Sequence, residues 1–571
     1  MFFEGLIGIA SGIFTFWGLF AVGQLALALK GVQYKGIHGK VVVGFGLFHL
    51  FFLGISMFLP TGFIWYTCVA LFLLAIFFQL KDIKKSDSNF SWLFPLLISV
   101  IFLPYLFRLF SPPIFTDGLF YYLPSIAWVF TNGLAFNPYL TQYTTMPQGV
   151  EYLFTIPFGF AGYAGVRSLD ALGTVALIHL IYQSGKDLFG KRKSEIFVLS
   201  ALLIKGTFFL VFATGKIDTW NTYVVMTGIL FFCQSHRKDH LIGAFVIFSI
   251  ALGLKYTNYL LLFLPLIYLW IQILRTLGGK PAFITSIIPL MFIAPVLIRN
   301  HWLVNNPFAP LIQLDGQSRY VASHGTAVVS NAQFQISGEL SGKELMWELL
   351  QEGLRYRSTL IFLLFLLVAW LLWKKRVFLA RELKLACMLW LLMGIPWMLV
   401  LGNTAQPLRF VWAPLLLTVL IFILGLNQWI LYKKYDTGIL EKISKLTLLL
   451  VVGTAIYAKH YHYFPDYFTQ KNRTLPEWYT LIGSDHYSIS YQFKALGLHH
   501  ARVNYRVPVV LGAFEINDYG NIPTQEEFIE SKDSMIEGFD YCLDRGMEKL
   551  AEIPLEDIVL QSGEFFVYRI K

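Results

Sequence analysis

Residues 241–298 read LIGAFVIFSIALGLKYTNYLLLFLPLIYLWIQILRTLGGKPAFITSIIPLMFIAPVLI. Three apolar runs, 241–254, 257–274 and 281–298, follow one another across two short breaks, one at Lys255 and one at Gly278-Gly279. A helix needs about 20 apolar residues, and at least about 17, to cross the hydrocarbon core of a bilayer. With their flanks included, the three runs reach that length. Working outward, further runs fall at 5–29, 41–59, 63–80, 91–110, 165–185, 195–214, 218–233, 358–373, 384–401, 409–430 and 446–458. The expected fold class is a polytopic α-helical membrane protein with about fourteen transmembrane helices.

Composition agrees. Of 571 residues, 56% are hydrophobic and 14% charged, whereas about a quarter of an ordinary soluble chain is charged. Such a chain lacks the polar surface to cover a core, so lipid must take up the excess. The net charge of +10 raises the question of nucleic acid, and its distribution answers it. The clearest basic clusters are short tufts between apolar runs: Lys81, Lys84 and Lys85; Lys186, Lys191, Arg192 and Lys193; Arg237 and Lys238; Lys374, Lys375 and Arg376; Lys433 and Lys434. Tufts at helix ends are the positive-inside signature, and they form no groove-lining stripe. Nucleic acid is therefore not an expected partner, and the lipid bilayer is. Cys68, Cys233, Cys387 and Cys542 have no zinc or disulfide spacing. The run from Gly5 to Leu29 is too long for a secretory signal and carries Glu4 where a basic cluster would stand, which predicts a retained first helix.

With the tufts inside, strict alternation puts 111–164, 215–217, 299–357, 402–408 and everything after 459 outside. The apolar segment 148–163 (QGVEYLFTIPFGFAGY) strains this parity, and is expected to lie at the outer interface, kinked at Pro157. The tail changes character: ARVNYRVPVVLG and EFFVYRIK alternate as strands do, while EEFIESKDSMIEGF and CLDRGMEKLAEI are helix-like. Three parts are expected: additional N-terminal transmembrane helices over 1–90, a transmembrane core over 91–458 with outer loops 111–164 and 299–357, and a small soluble α/β domain over 459–571 on the periplasmic or extracellular side. The expected setting is a bacterial plasma (inner) membrane, crossed many times.

Ionisable residues near a bilayer are costly and suggest function by default. Asp117, in PPIFTDGLFYYLP (112–124), directly follows a spanning run and precedes an aromatic segment. A carboxylate held there can take a proton from an attacking hydroxyl. It can equally cap the next helix. Asp218-Thr219 before an apolar run can likewise cap its helix. Arg409 sits in a very short outer loop, Arg299 ends a helix, and Lys216 and Lys255 lie in short outer turns. Each could instead snorkel to lipid headgroups. The sequence has no Walker loop, dinucleotide glycine fingerprint, GxSxG elbow or HExxH motif.

The strings TDGLFYYLP (116–124), TTMPQGVEYLF (144–154), DLFGKRK (187–193), GKIDTW (215–220), LGLKYTN (252–258), RNHWLVNNPFAP (299–310) and QPLRFVWAPLL (406–416), with Arg167 among them, span the chain from Pro112 to Leu416. In order and placement they resemble the GT-C superfamily of membrane glycosyltransferases. The resemblance implies an enzyme that moves a sugar from a polyprenyl-phosphate-linked donor to an outer-face acceptor (lipid, glycan or protein) with inversion. It implies Asp117 as the catalytic base, and Asp218 as the second acidic residue of the catalytic site, which orients the acceptor or helps to bind a metal. Arg409, Arg299, Lys255 and Lys216 would bind the donor phosphate, where a leaving group needs cationic stabilisation. Tyr121, Tyr122, Gln142, Glu151 and Asn306 would bind substrate, although aromatic-belt and turn chemistry also accounts for them. Many members pair acids in the first loop, whereas Gly118 and Leu119 follow Asp117. A divalent cation needs several oxygen ligands, so a metal cofactor is left open. Two other classes fit the helix count: a ligase or polymerase of lipid-linked glycans, and a transporter or flippase. A transporter is expected to show internal repeats and midplane charges, neither of which is evident here.

Overall fold

The structure is a computed structural model, and it describes residues 2–29, 36–82, 109, 123–134, 146–204, 215–235, 238–304, 306–307, 381–401, 412–433, 503–505, 541–545, 554, 557–562 and 565–569. The helices in these segments are α1 (Phe2–Leu29), α2 (Ile37–Ser56), α3 (Thr61–Asp82), α4 (Leu123–Asn132), α5 (Gly149–Phe189), α6 (Lys191–Ile204), α7 (Asp218–Cys233), α8 (Lys238–Leu252), α9 (Thr257–Leu277), α10 (Gly279–Val304), α11 (Arg381–Leu401) and α12 (Trp412–Lys433). Among the described residues, six helices are long and apolar enough to cross a membrane: α1, α2, α3, α5, α9 and α10. The chain is a polytopic α-helical membrane protein. The expected spans at 91–110, 358–373 and 446–458 lie outside the described residues, apart from Leu109.

Burial sorts the helices by neighbour. Along α3, Phe63, Tyr66, Leu73, Leu74, Phe77 and Phe78 are exposed, and α10 exposes Phe283, Ile284, Ile287, Leu290 and Met291 in the same way. Apolar faces of that extent belong against lipid. By contrast α7, packed against α5, α8, α11 and α12, buries nearly every residue, as expected of a helix apolar on all sides.

Helix α1 packs along α5 as well as on α2 and α3. In lipid, helices associate where small residues let backbones approach closely. A Cβ on Gly23 would collide with the Lys40 carbonyl oxygen, and one on Gly44 with that of Leu19, so α1 and α2 cross backbone to backbone. A Cβ on Gly8 would lie 2.8 Å from the carbonyl of Ala164 in α5. Polar ties supplement this packing. His38 Nε2 lies 2.8 Å from His179 Nδ1, and His38 Nδ1 lies 2.9 Å from the Tyr223 hydroxyl, linking α2 to α5 and α7. Trp17 donates to Gln79 at 2.8 Å. The N-terminal helices are thus packed into the core.

Two local expectations change. Segment 148–163 was expected at the interface with a kink at Pro157. The helix instead carries through Pro157 and breaks at Ala161 (φ −145°, ψ 23°) and Gly162 (φ 50°, ψ −136°). Gly162 takes a backbone conformation that side chains disfavour, so the bend falls at the residue able to make it. The first limb is enclosed: residues 147–157 are all buried. In the tail, the start of the helix-like string CLDRGMEKLAEI is a strand. Among the described residues the tail forms four strands, β1 (Val503–Tyr505), β2 (Tyr541–Arg545), β3 (Ile558–Ser562) and β4 (Phe565–Arg569), in the order β1-β2-β4-β3. β2 pairs parallel with β1 and antiparallel with β4. Ladder bonds on both edges override the weak helical preference of five residues.

Candidate functional site

At one end of the bundle, four segments and one further side chain meet. The segments are the start of α5 with the residues before it, the start of α7, the α8–α9 turn, and the last part of α10. The additional side chain is His49 of α2. The backbone joins two of them directly: Gly149 N–H donates to the Gly253 carbonyl at 3.1 Å.

Asp218 stands in the first turn of α7, at the positive end of the helix dipole. It makes no capping bond; its Oδ1 pairs with Lys255 Nζ from the α8–α9 turn, and both side chains are buried. The second carboxylate oxygen, Oδ2, has no hydrogen-bond partner among the described residues. The turn that presents Lys255 is pinned by Asn258, whose amide donates to Asn221 Oδ1 and to the Ala251 carbonyl, each at 2.6 Å. A charge pair removed from water needs such fixed geometry to recover its desolvation cost.

Arg299, near the end of α10, reaches across to the start of α5. Its Nη1 donates to Gln148 Oε1 at 3.0 Å and to the Tyr152 hydroxyl at 2.9 Å, and Nη2 donates to the Met146 carbonyl at 2.8 Å. Its Nε–H has no partner among the described residues. Glu151 is buried beside this cation and interacts electrostatically with Lys255, Arg299 and Asp218, while its Oε2 is unpartnered among the described residues. Lys216 is buried just before α7. Burial pulls its pKa below the ordinary lysine value, and the charges of Asp218 and Asp170 oppose that shift. Asp170 also accepts the Gly215 N–H at 3.0 Å. Asn306 is fully buried.

Of the residues expected at the site, the structure therefore brings together Glu151, Asp218, Lys255 and Arg299, with Lys216 coupled through Asp218. Asp117, Tyr121, Tyr122, Gln142 and Arg409 lie outside the described residues. Sequence reasoning missed Gln148, Tyr152, Asn221, Asn258 and His49. Gln148, Tyr152 and Asn258 stand inside the strings that carried the family resemblance. The signal for His49 was a histidine within an apolar span. No group of three or more His, Cys, Asp or Glu among the described residues converges as metal ligands. Glu151 and Asp218 bring two carboxyl groups, and Lys255 and Arg299 bring two cationic side chains. The arrangement can hold a polar, charge-bearing group in a dry setting, with carboxylate acceptors and a guanidinium donor fixed in advance.

Residues 146–299 match the family model of the dolichyl-phosphate-mannose-protein mannosyltransferases. No curated protein and no solved structure matches the chain. The matched segment opens at Met146 and closes at Arg299, the two residues joined by the Arg299 Nη2 bond. It contains Glu151, Lys216, Asp218 and Lys255. The family is one of GT-C membrane glycosyltransferases, which bears out the resemblance carried by the sequence. The match supports a glycosyltransferase that draws on a polyprenyl-phosphate sugar in a membrane setting.

Proposed function

We propose that this chain is an inverting glycosyltransferase that moves one sugar from a polyprenyl phosphate to an acceptor hydroxyl at the outer face of the plasma membrane. The observation that carries the reading is the buried cluster inside the family-matched segment. There Glu151 and Asp218 each keep an oxygen with no partner among the described residues, beside Lys255 and an anchored Arg299.

In this reading the acceptor oxygen attacks the anomeric carbon, and Asp117 takes the hydroxyl proton. The bond from that carbon to the phosphate oxygen breaks, its electron pair stays on the lipid phosphate, and the configuration inverts. Asp218 orients the acceptor through Oδ2, while Lys255 holds Oδ1. Arg299 and Arg409 face the charge growing on the leaving phosphate. Arg299 is already fixed by three bonds, and a preorganised donor costs no reorganisation when charge develops. Lys216 and Lys255 add positive charge on the donor side. Tyr121, Tyr122, Gln142, Glu151 and Asn306 serve the acceptor. The wider frame is about fourteen helices, with additional helices over 1–90, a core over 91–458, and a soluble α/β domain over 459–571 outside the cytoplasm of a bacterial cell.

The test is transfer of labelled sugar from a polyprenyl phosphate by purified protein in proteoliposomes. Asp218→Asn and Asp117→Asn should each insert normally yet lower turnover, Asp117→Asn by about 10²- to 10⁴-fold as for a lost general base, Asp218→Asn by less. Wild-type turnover in both variants would overturn the mechanism. Activity only with a pyrophosphate-linked glycan would favour a ligase.

A further inference from the structure

The segment matched to the glycosyltransferase family begins at residue 146, yet one ring at the site comes from α2, far upstream. His49 is 1% exposed, and neither ring nitrogen has a hydrogen-bond partner among the described residues. Its nearest neighbours on the buried face of α2, Phe45, Phe48 and Phe52, are apolar. A plain filler of that face would be one of these types, because a neutral imidazole brings a donor and an acceptor that both lose water on burial.

The ring lies where two segments of the site are joined. A Cβ on Gly149 would come within 2.7 Å of both His49 Nδ1 and the Gly253 carbonyl oxygen, and a Cβ on Gly253 within 3.1 Å of His49 Nε2. The two glycines therefore make room for the ring, and a backbone bond joins them to each other. Nδ1 is turned to one strand of the joint and Nε2 to the other. On its flanks the ring meets Tyr152 with centroids 5.5 Å apart and Phe292 at 5.7 Å. Tyr152 is also stacked against Phe52, one turn further along α2, with centroids 4.8 Å apart. The hydroxyl of that same tyrosine accepts from Arg299.

We propose that α2 is a working part of the site: His49 is a positioning residue that sets the Gly149–Gly253 joint and Tyr152, and through Tyr152 the guanidinium of Arg299. This rests on the glycosyltransferase reading only for its catalytic consequence. If Arg299 acts on the leaving phosphate, its misplacement lowers kcat while donor KM stays, the pattern of an interaction made in the transition state.

The experiment compares full-length wild type, His49→Leu and His49→Gln in two assays. One is amide hydrogen exchange over the peptide 146–154, and the other is kcat and KM for transfer from a polyprenyl-phosphate sugar. His49→Leu should speed exchange of that peptide and lower kcat at least tenfold, with KM within twofold. His49→Gln, which returns a nitrogen and an oxygen to the notch, should recover most of both. Wild-type values in His49→Leu would make the ring a filler and overturn the proposal. So would faster exchange with kcat unchanged, or equal loss in both variants together with a lowered melting midpoint. If His49→Leu does not fold, a folded but inactive His49→Gln also overturns it. Wild-type protein that transfers no sugar would sink the proposed function, while the exchange arm still decides whether His49 holds the joint.

Discussion

Removing Lys255 or Asp218 alone would leave its partner charged in a dry cluster, at a cost of about 3–5 kcal/mol. Replacing both by uncharged residues removes the penalty along with the pair. Lys255→Met should therefore lower the melting midpoint in detergent more than the double variant Asp218→Asn/Lys255→Met does. A double-mutant cycle should give a coupling above about 1 kcal/mol, the scale for residues in one network. Strict additivity would mean that the two charges are stabilised separately. Lys255 and Arg299 differ in the charge of their hydrogen-bond partners. The first has its charge matched by Asp218, whereas the three bonds of Arg299 go to neutral acceptors, Gln148, Tyr152 and the Met146 carbonyl. Of the two cations, Arg299 therefore has more charge to offer a phosphate.

At the scale of elements, the α1–α2 crossing is set by glycine. Gly23 and Gly44 each face a backbone carbonyl of the opposite helix, and rigid backbone cannot give way as a flexible side chain can. Gly44→Val should therefore push the helices apart and weaken the seat of α2. We expect a lower melting midpoint together with reduced transfer, because His49 rides on α2. Gly54→Val, on the same helix with open space at its Cβ, is the control and should leave stability near wild type. Equal effects at the two positions would show that the crossing is not the cause. The break in α5 at Ala161 and Gly162 has a similar origin: chain geometry falls where a residue can bear it.

For the molecule as a whole, orientation is the property on which the site reading depends. The site end of the bundle gathers residues from segments that the basic tufts assign to the outside: 215–217, the turn at Lys255, and the end of α10 at Arg299. A reporter active only outside the cytoplasm, fused at Lys571, should be active, and one active only inside should be silent. The reverse pattern would put the tail in the cytoplasm and undo the parity from which that face was derived.

Apolar run length, which needs no knowledge of neighbours, was enough to make the chain polytopic. It also marked α7 at 218–233 to the residue and most other described helices to within a few residues. The strings around Glu151, Asp218, Lys255 and Arg299 were legible too, because charge beside lipid is costly and so conspicuous. The partnerships were not. That Lys255 meets Asp218 from 37 residues away, and Arg299 meets Tyr152 from 147 away, depends on how helices cross, and crossing angles come from packing. The place of His49 depends on α2 bringing its ring against Tyr152 of α5, a contact between helices that no local pattern carries. Local pattern also failed at β2, where a strand forms only because β1 and β4 lie on either side of it. Periodicity and desolvation act along the chain and can be read there. Pairing acts across it, and only the tertiary structure decides it.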